Sequence, residues 1–199
     1  MTKLVLVRHA AVEIDTAISP LLWQLSDAGR AGARHLARDR IWRPIERIFS
    51  SPEVKAFETA HILAGPNGMT VTAIEELHEV IRPPGQWFGD DYPGGYSGAV
   101  RDYFAQPAEA VHGWEPALEA QQRILTCLAY LRRWESGDFA IAGHGLTLSL
   151  YVAAVTELDP GDIWPAIQLP DYAVLEPDRG CVIRPFGFTG NADTERADR

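Results

Sequence analysis

Cysteine is scarce in this sequence, with two residues, Cys127 and Cys181, among 199. Neither belongs to a Cys-x-x-Cys or Cys-x-x-His pattern, which argues against a disulfide framework and against a zinc site. The sequence also lacks any apolar run of about 20 residues, the length that spans a membrane, and it opens without the pattern of a signal peptide. These absences predict a cytoplasmic protein with no membrane partner.

Basic residues are fewer than acidic ones. Lysine and arginine total 18 against 27 aspartate and glutamate residues, which gives a formal net charge of −9. Because no stretch is rich in lysine and arginine, a nucleic-acid partner is not expected. An anionic substrate would require a locally positive pocket. Nothing in the sequence indicates the oligomeric state.

The most informative residues that are present are two histidines, each at the downstream end of a short apolar run. Residues 4–7 lead into Arg8 and His9, and residues 139–143 lead into His144. Runs of this length rich in Val, Ile and Leu are typical of buried strands. Ligands of open α/β sheets bind beyond the carboxyl ends of the strands, so the two histidines are predicted to share one cleft.

The alternation of apolar runs with helical patterns predicts an α/β fold, a three-layer α/β/α sandwich around a mostly parallel central sheet. One domain is expected over residues 1–188, with residues 80–113 as a loop or cap insertion and residues 189–199 as a disordered tail. The predicted strands are Lys3–Val7, Arg47–Ser50, Met69–Ala73, Phe139–Gly143, and a late hairpin of Tyr172–Glu176 with Cys181–Pro185. The predicted helices are Ser26 to about Arg38, a helix capped by Ser51, Ala99–Phe104, Glu115–Glu135 and Leu146–Val155.

These residues fit phosphoryl transfer through a histidine. A neutral imidazole is a competent nucleophile, and His9 is the candidate. Arg8, with its planar fork of donors, and His144 are candidates for holding the phosphoryl oxygens, and Lys55 is a third. Glu79, which follows the third strand, is the candidate acid that protonates the leaving alkoxide.

Five segments resemble motifs of the histidine phosphatase superfamily, which includes the phosphoglycerate mutases. Leu4–His9 resembles the strand with its Arg-His-Gly signature, and Leu25–Arg30 resembles the Leu-Thr-x-x-Gly helix start. Ser50–Ala60 resembles Ser-Ser-Pro-x-x-Arg-Ala-x-x-Thr-Ala, Leu77–Glu79 matches Leu-x-Glu, and Ala142–Gly145 matches the Ser-His-Gly of the second histidine. The resemblance covers about residues 3–185.

The resemblance implies a phosphoglycerate mutase-like fold and assigns each residue a role. It makes His9 the phosphorylated residue, Glu79 the acid and base, and His144 a catalytic group that also binds phosphate with Arg8 and Lys55. It implies no metal and no organic cofactor. Two departures stand out: Ala10 replaces the signature glycine, and Lys55 replaces an arginine. Arg82 either supplements Lys55 or is a solvated residue before Pro83.

The function predicted from these features is a metal-independent phosphomonoesterase that hydrolyses a small phosphorylated metabolite through phospho-His9. Two alternatives stay open. A mutase-type phosphotransferase would need further cations for a second anionic group. The second alternative is a phosphoester-binding regulatory protein with impaired turnover, which the departures at Ala10 and Lys55 leave possible. The aromatic residues of the 80–113 segment either line the substrate site or pack beneath the loop.

Overall fold

A central sheet of six strands organises the fold, in the order β3-β2-β4-β1-β5-β6. The computed structural model describes residues 2–89 and 91–188, so the predicted disorder of residues 189–199 lies outside the described residues. The strands are β1 (Leu4–Arg8), β2 (Arg47–Ser50), β3 (Thr70–Ala73), β4 (Phe139–Gly143), β5 (Asp171–Glu176) and β6 (Cys181–Arg184).

Pairing within the sheet is mostly parallel, as predicted. Strands β3, β2, β4 and β1 run parallel to one another. Strand β5 pairs antiparallel with β1, and β6 pairs antiparallel with β5 as the predicted hairpin. The carboxyl ends of the four parallel strands therefore lie along one edge of the sheet.

Both faces of the sheet are covered, which explains the continuous apolar runs of β1 and β4. Successive strand residues point to opposite faces. Leu4 and Leu6 belong to one core cluster, together with side chains of the helices over residues 117–134 and 145–156. Val5 and Val7 belong to the opposite cluster, which includes residues of the helix over 54–67. The fold is the predicted α/β/α sandwich.

The helices begin and end close to the predicted positions, with exceptions at the second helix and at the third, which begins at Gly95 and not at Ala99. They are α1 (Asp27–Leu36), α2 (Val54–Asn67), α3 (Gly95–Ala105), α4 (Ala117–Trp134), α5 (Gly145–Thr156) and the short α6 (Pro160–Ile163). Ser26 caps α1 as predicted, and its Oγ accepts a hydrogen bond from the Gly29 N–H at 3.0 Å.

The prediction that Ser51 caps α2 is wrong. The helix begins at Val54, and Glu53 holds the N-cap position in extended conformation without a side-chain capping bond. The Ser51 hydroxyl instead accepts a hydrogen bond from the Glu53 N–H and lies 2.7 Å from His144 Nε2. Ser51 is therefore bonded to His144, which follows the neighbouring strand β4.

Residues 80–113 contain more regular structure than a loop, since α3 occupies their second half. Phe88, Tyr92 and Tyr96 pack against a core cluster that includes Tyr103 and Trp114. These three aromatic side chains therefore pack beneath the segment, which is one of the two arrangements that the sequence leaves open. Within the described part of the chain, no helix combines the length and the apolar character needed to cross a lipid bilayer.

Candidate active site

The carboxyl ends of the four parallel strands bring the predicted site residues together. Arg8 ends β1 and His9 follows it, while His144 follows β4. The His9 N–H donates to Gly143 O at 3.0 Å, which continues the ladder between the two strands. The rings of His9 and His144 consequently lie 5.3 Å apart, centroid to centroid.

His9 has the protonation pattern of a nucleophile. Its Nδ1 lies 2.8 Å from the carbonyl oxygen of Ala10. A carbonyl only accepts hydrogen bonds, so Nδ1 carries the proton and the lone pair of the neutral ring is on Nε2. Burial lowers the pKa of His9 well below its usual 6.5, and the nearby His144 and Lys55 lower it further. The ring is therefore neutral at pH 7.

His144 is fully buried and forms side-chain contacts through one of its two ring nitrogens. Its Nε2 lies 2.7 Å from Ser51 Oγ and 3.4 Å from Glu53 Oε1. Its Nδ1 has no hydrogen-bond partner within the described residues. Burial lowers the pKa of His144 well below 6.5. The negative charge of Glu79 raises this pKa, but its effect is smaller than that of burial.

Arg8 is held beside the start of α5. Its Nη1 donates to Ile167 O at 2.7 Å, and its buried Nε has no partner in the described part of the chain. A Cβ added at Gly145 would lie 3.2 Å from Arg8 Cζ and 3.0 Å from Trp164 Nε1. Glycine at this position thus allows the guanidinium to approach the helix start closely.

Lys55 does not lie alone in the pocket, because a buried carboxylate accompanies it. Its Nζ donates to Glu53 Oε2 at 2.5 Å and to Pro20 O at 2.8 Å. An ammonium group has three donors, so one N–H remains for a ligand. Both side chains are almost completely buried. The cation that replaces the family's arginine is therefore paired with an anion within the site.

Glu79 is fixed by backbone donors at the start of α5. Its Oε1 accepts from Val80 N and Thr147 N, and its Oε2 accepts from Leu146 N, at 3.0–3.1 Å. The carboxylate thereby satisfies N–H groups that a helix start leaves without intrahelical partners. Oε2 accepts one backbone bond, so it keeps a lone pair on which a proton can be carried.

Arg82 is partly buried and lies beside Glu79. Its Nη2 lies 4.0 Å from Glu79 Oε2, and its guanidinium lies over the rings of Trp114 (4.9 Å) and Tyr96 (5.3 Å). Burial opposes its charge, but Tyr96, Glu79 and Glu53 together raise the pKa of Arg82. Arg82 therefore remains positively charged beside the candidate acid.

Ala10 fits where the family motif has glycine. Among the described residues other than glycine, positive φ angles occur at His112 and Glu157, so Ala10 has no strained backbone. Its side chain is fully buried in a small cluster with Leu25 and Ala33. The methyl group of Ala10 therefore packs into the core.

Sequence reasoning missed Ser51 and Glu53 as site residues. The sequence pattern predicts Ser51 as the cap of a helix, and a helix that starts there has Glu53 in its first turn. Residues two positions apart on a helix do not face each other, which concealed the pairing of Glu53 with Lys55. The available signal was an acidic residue two positions before the only cation of this segment.

No group of three or more His, Cys, Asp and Glu side chains is arranged to hold a metal ion within residues 2–89 and 91–188. The cationic groups around the site are Arg8, Lys55 and Arg82, with His144 as a further donor. Together with the neutral His9, this arrangement can bind a phosphoryl group and attack it.

The fold and sequence match known proteins. A curated relative, "Putative phosphoserine phosphatase 2" of Hydrogenobacter thermophilus, is 24% identical over 178 residues, which cover 82% of this chain and 83% of the relative. The fold also matches the phosphate complex of mycobacterial glucosyl-3-phosphoglycerate phosphatase, with a TM-score of 0.70 and 24% identity over 88% of this chain and 90% of that one. The Entamoeba histolytica phosphoserine phosphatase mutant bound to phosphoserine has a TM-score of 0.72 and 20% identity, over 94% and 97%.

The family itself is established by a match over nearly the whole chain. The sequence model of the histidine phosphatase superfamily (branch 1) matches residues 4–181. This range contains all five motifs and every site residue described above. The chain belongs to the histidine phosphatase superfamily.

Proposed function

We propose that this protein is a phosphomonoesterase that hydrolyses its substrate through a phosphohistidine at His9. The observation that carries the proposal is the bond of His9 Nδ1 to the Ala10 carbonyl, which leaves Nε2 as the nucleophile. The ring of His144 lies 5.3 Å from that of His9, and the charges of Lys55 and Arg8 contribute to the lowered pKa of His9. The named relatives act on phosphomonoesters, which supports the same reaction class here.

In the first step, His9 Nε2 attacks phosphorus, the N–P bond forms and the ester P–O bond breaks. Arg8 Nε and the third N–H of Lys55 donate to the phosphoryl oxygens. When the Ser51 hydroxyl donates to His144 Nε2, the Nδ1–H of His144 is left to donate to the same oxygens. A proton on Glu79 Oε2 passes to the leaving alkoxide, so the alcohol departs neutral.

In the second step, water attacks the phosphorus of phospho-His9. The Glu79 carboxylate takes one proton from the water, the P–O bond forms and the N–P bond breaks. Inorganic phosphate leaves, and His9 returns to its neutral form with its Nδ1–H still on Ala10 O. Throughout both steps, the Ala10 carbonyl stabilises the positive charge that the phosphorylated ring carries.

Hydrolysis is favoured over the mutase alternative by the state of the site's cations. A mutase must hold a second anionic group while the first is on histidine. Lys55 is already paired with Glu53, and Arg82 lies beside Glu79. The one remaining N–H of Lys55 is used by the first phosphoryl group, and Arg82 lies next to a carboxylate, so neither cation is left for a second anion.

A cytoplasmic setting is part of the proposal. Cys127 and Cys181 are free thiols, and an intracellular reducing compartment keeps thiols in this form. The substrate is a small phosphorylated metabolite.

The test is hydrolysis of an aryl phosphate in the presence of EDTA, with released phosphate and phosphoryl transfer to an added alcohol measured in parallel. Wild-type protein is expected to release phosphate, and His9→Ala to lose at least about a thousandfold in kcat. His35→Ala, which removes an exposed histidine of α1, is the matched control and should retain full activity. Wild-type inactivity across a broad panel of phosphoesters would refute hydrolysis and favour the binding role.

The role of Glu79 is tested with esters that differ in their leaving groups. Alkoxides need a proton to depart and activated aryl oxides do not. Glu79→Gln should therefore slow alkyl phosphates more than nitrophenyl phosphate, by roughly tenfold or more. An equal loss for both esters would remove Glu79 from the role of acid.

A further inference from the structure

A cleft of about 470 Å³ opens beside the phosphate-binding residues. It lies between residues 19–22 on one side and residues 78–86 on the other, and Glu53 and Lys55 belong to its lining. We call it the leaving-group cleft, because it adjoins Glu79, the candidate acid. Its volume is in the range of pockets that bind small organic molecules.

The walls of the leaving-group cleft are mostly apolar. The apolar lining residues include Pro20, Leu21, Leu22, Val54, Ile81 and Pro84. Three of them are exposed to solvent, Leu21 by 54%, Leu22 by 58% and Ile81 by 59%. These side chains project from both sides of one cleft. Clustered exposed apolar side chains of this kind are typical of a ligand-binding surface.

The two walls are also connected. The rings of Trp23 and Trp87, which follow the two wall segments, meet edge to face with centroids 6.0 Å apart. The backbone of Ile81 is anchored by Glu115, whose carboxylate accepts from Ile81 N and whose N–H donates to Ile81 O. The apolar walls thus have fixed positions on the rest of the domain.

The charge of the cleft disfavours an anionic leaving group. Its lining contains three carboxylates, Glu53, Glu75 and Glu79, and two cations. Both cations are engaged, Lys55 with Glu53 at 2.5 Å and Arg82 with the aromatic rings near Glu79. A carboxylate on the leaving alcohol would lose its hydration without gaining a free cation in the lining.

We propose that the leaving-group cleft selects phosphomonoesters whose alcohol part is apolar and carries no negative charge. This selection rests on the phosphomonoesterase function proposed above and names its substrate class. It separates this chain from relatives whose named substrates, phosphoserine and glucosyl-3-phosphoglycerate, contain a carboxylate. The apolar part lies against Leu21, Leu22 and Ile81 while the phosphoryl group lies at His9.

The test uses three phosphonates, which cannot be hydrolysed. All three carry a six-carbon chain, and this chain ends in a methyl group in the first, a hydroxyl in the second and a carboxylate in the third. Binding is measured by titration calorimetry, and the three corresponding phosphate esters are assayed for hydrolysis in parallel. The methyl-ended phosphonate should bind roughly tenfold more tightly than the hydroxyl-ended one. The carboxylate-ended phosphonate should bind most weakly of the three. The esters should follow the same order in kcat/KM.

A lysine placed on the cleft wall should change this order. Ile81→Lys supplies the missing free cation, so it should improve binding of the carboxylate-ended phosphonate and weaken that of the methyl-ended one. Leu118→Lys is the matched control, because Leu118 is also about half exposed but lies on α4 and does not line the cleft, and it should leave the order unchanged.

The outcomes separate the two proposals. Equal or tighter binding of the carboxylate-ended phosphonate by wild-type protein would overturn the cleft assignment while ester hydrolysis still stood. If the phosphonates bind in the expected order but no ester is hydrolysed, the cleft assignment holds and the phosphomonoesterase proposal fails.

Discussion

At the scale of single residues, the pairing of Lys55 with Glu53 is the feature that most distinguishes this site. Lysine is rare in the chain, with Lys3 and Lys55 as its two examples. The sequence alone places a weaker phosphate ligand at position 55. The structure adds that Glu53 accepts from Lys55 Nζ and also from the Glu79 N–H at 2.7 Å. One buried carboxylate therefore connects the phosphate-binding cation with the candidate acid.

Removing the charge of Glu53 should tighten the binding of inorganic phosphate. Glu53→Gln keeps the shape of the side chain but raises the net charge beside the phosphate by one unit. We expect the inhibition constant of phosphate to fall by about tenfold, which corresponds to about 1.4 kcal/mol. Competitive inhibition of aryl phosphate hydrolysis by phosphate measures this change.

The matched control is Glu119→Gln, which removes one negative charge from the first turn of α4. It should leave the inhibition constant unchanged, because exposed charges are screened by solvent and salt. An unchanged constant in Glu53→Gln would show that Glu53 does not oppose phosphate binding.

At the scale of elements, strands were easier to predict than the start of α2. The strands β2 and β4 have their predicted ends, and β1 differs by one residue at each end. Short apolar runs in a parallel sheet have clear boundaries because both faces are buried. The start of α2 depended on the Ser51-Pro52 pair, a good capping signal. That signal is local, whereas the bond of Ser51 to His144 joins residues 93 positions apart.

The carboxylate of Glu79 has a structural role at the start of α5 besides its proposed chemistry. Glu79→Ala would leave the N–H groups of Leu146 and Thr147 without their acceptors. We expect a loss of about 1–3 kcal/mol in the free energy of unfolding, measured in urea. Glu79→Gln, which keeps one oxygen acceptor, should lose less.

The benchmark for this effect is Ser26→Ala, which removes the side-chain cap of α1. A typical N-cap contributes about 1 kcal/mol, so Glu79→Ala should match or exceed it. If Glu79→Ala is as stable as wild type, the carboxylate does not stabilise the start of α5.

At the scale of the whole molecule, a protein with an acidic surface contains a buried, cationic site. The net charge of −9 does not reveal where positive charge is concentrated. Arg8, His9, His144 and Glu79, to which the family motifs point, lie near one another at one edge of the sheet. The apolar walls of the leaving-group cleft could not be predicted, because they come from loops separated in sequence whose meeting depends on tertiary packing.

Burial of two neutral histidines should make stability depend on pH. The pKa values of His9 and His144 lie well below 6.5 in the folded protein because burial disfavours the charged form. Below pH 6.5 the unfolded chain binds protons at these positions and the folded protein does not. The free energy of unfolding should therefore fall as pH decreases, by up to about 1.4 kcal/mol per pH unit for each histidine.

Urea unfolding at a series of pH values from neutral to mildly acidic measures this slope. The double variant His9→Gln, His144→Gln lacks both groups, so its stability should depend less steeply on pH just below 6.5. Identical slopes in the variant and the wild type would contradict the burial of neutral imidazoles at these positions.

The central claim is that the phosphoryl group passes through His9, and trapping the intermediate tests it most directly. The protein is mixed with an aryl phosphate, quenched in alkali, in which phosphohistidine survives, and digested for mass spectrometry of the peptides. We predict one phosphoryl group on the peptide that contains His9, located on that ring, and none in His9→Ala. Full hydrolysis with no such peptide, or with the phosphoryl group on another residue, would contradict the account.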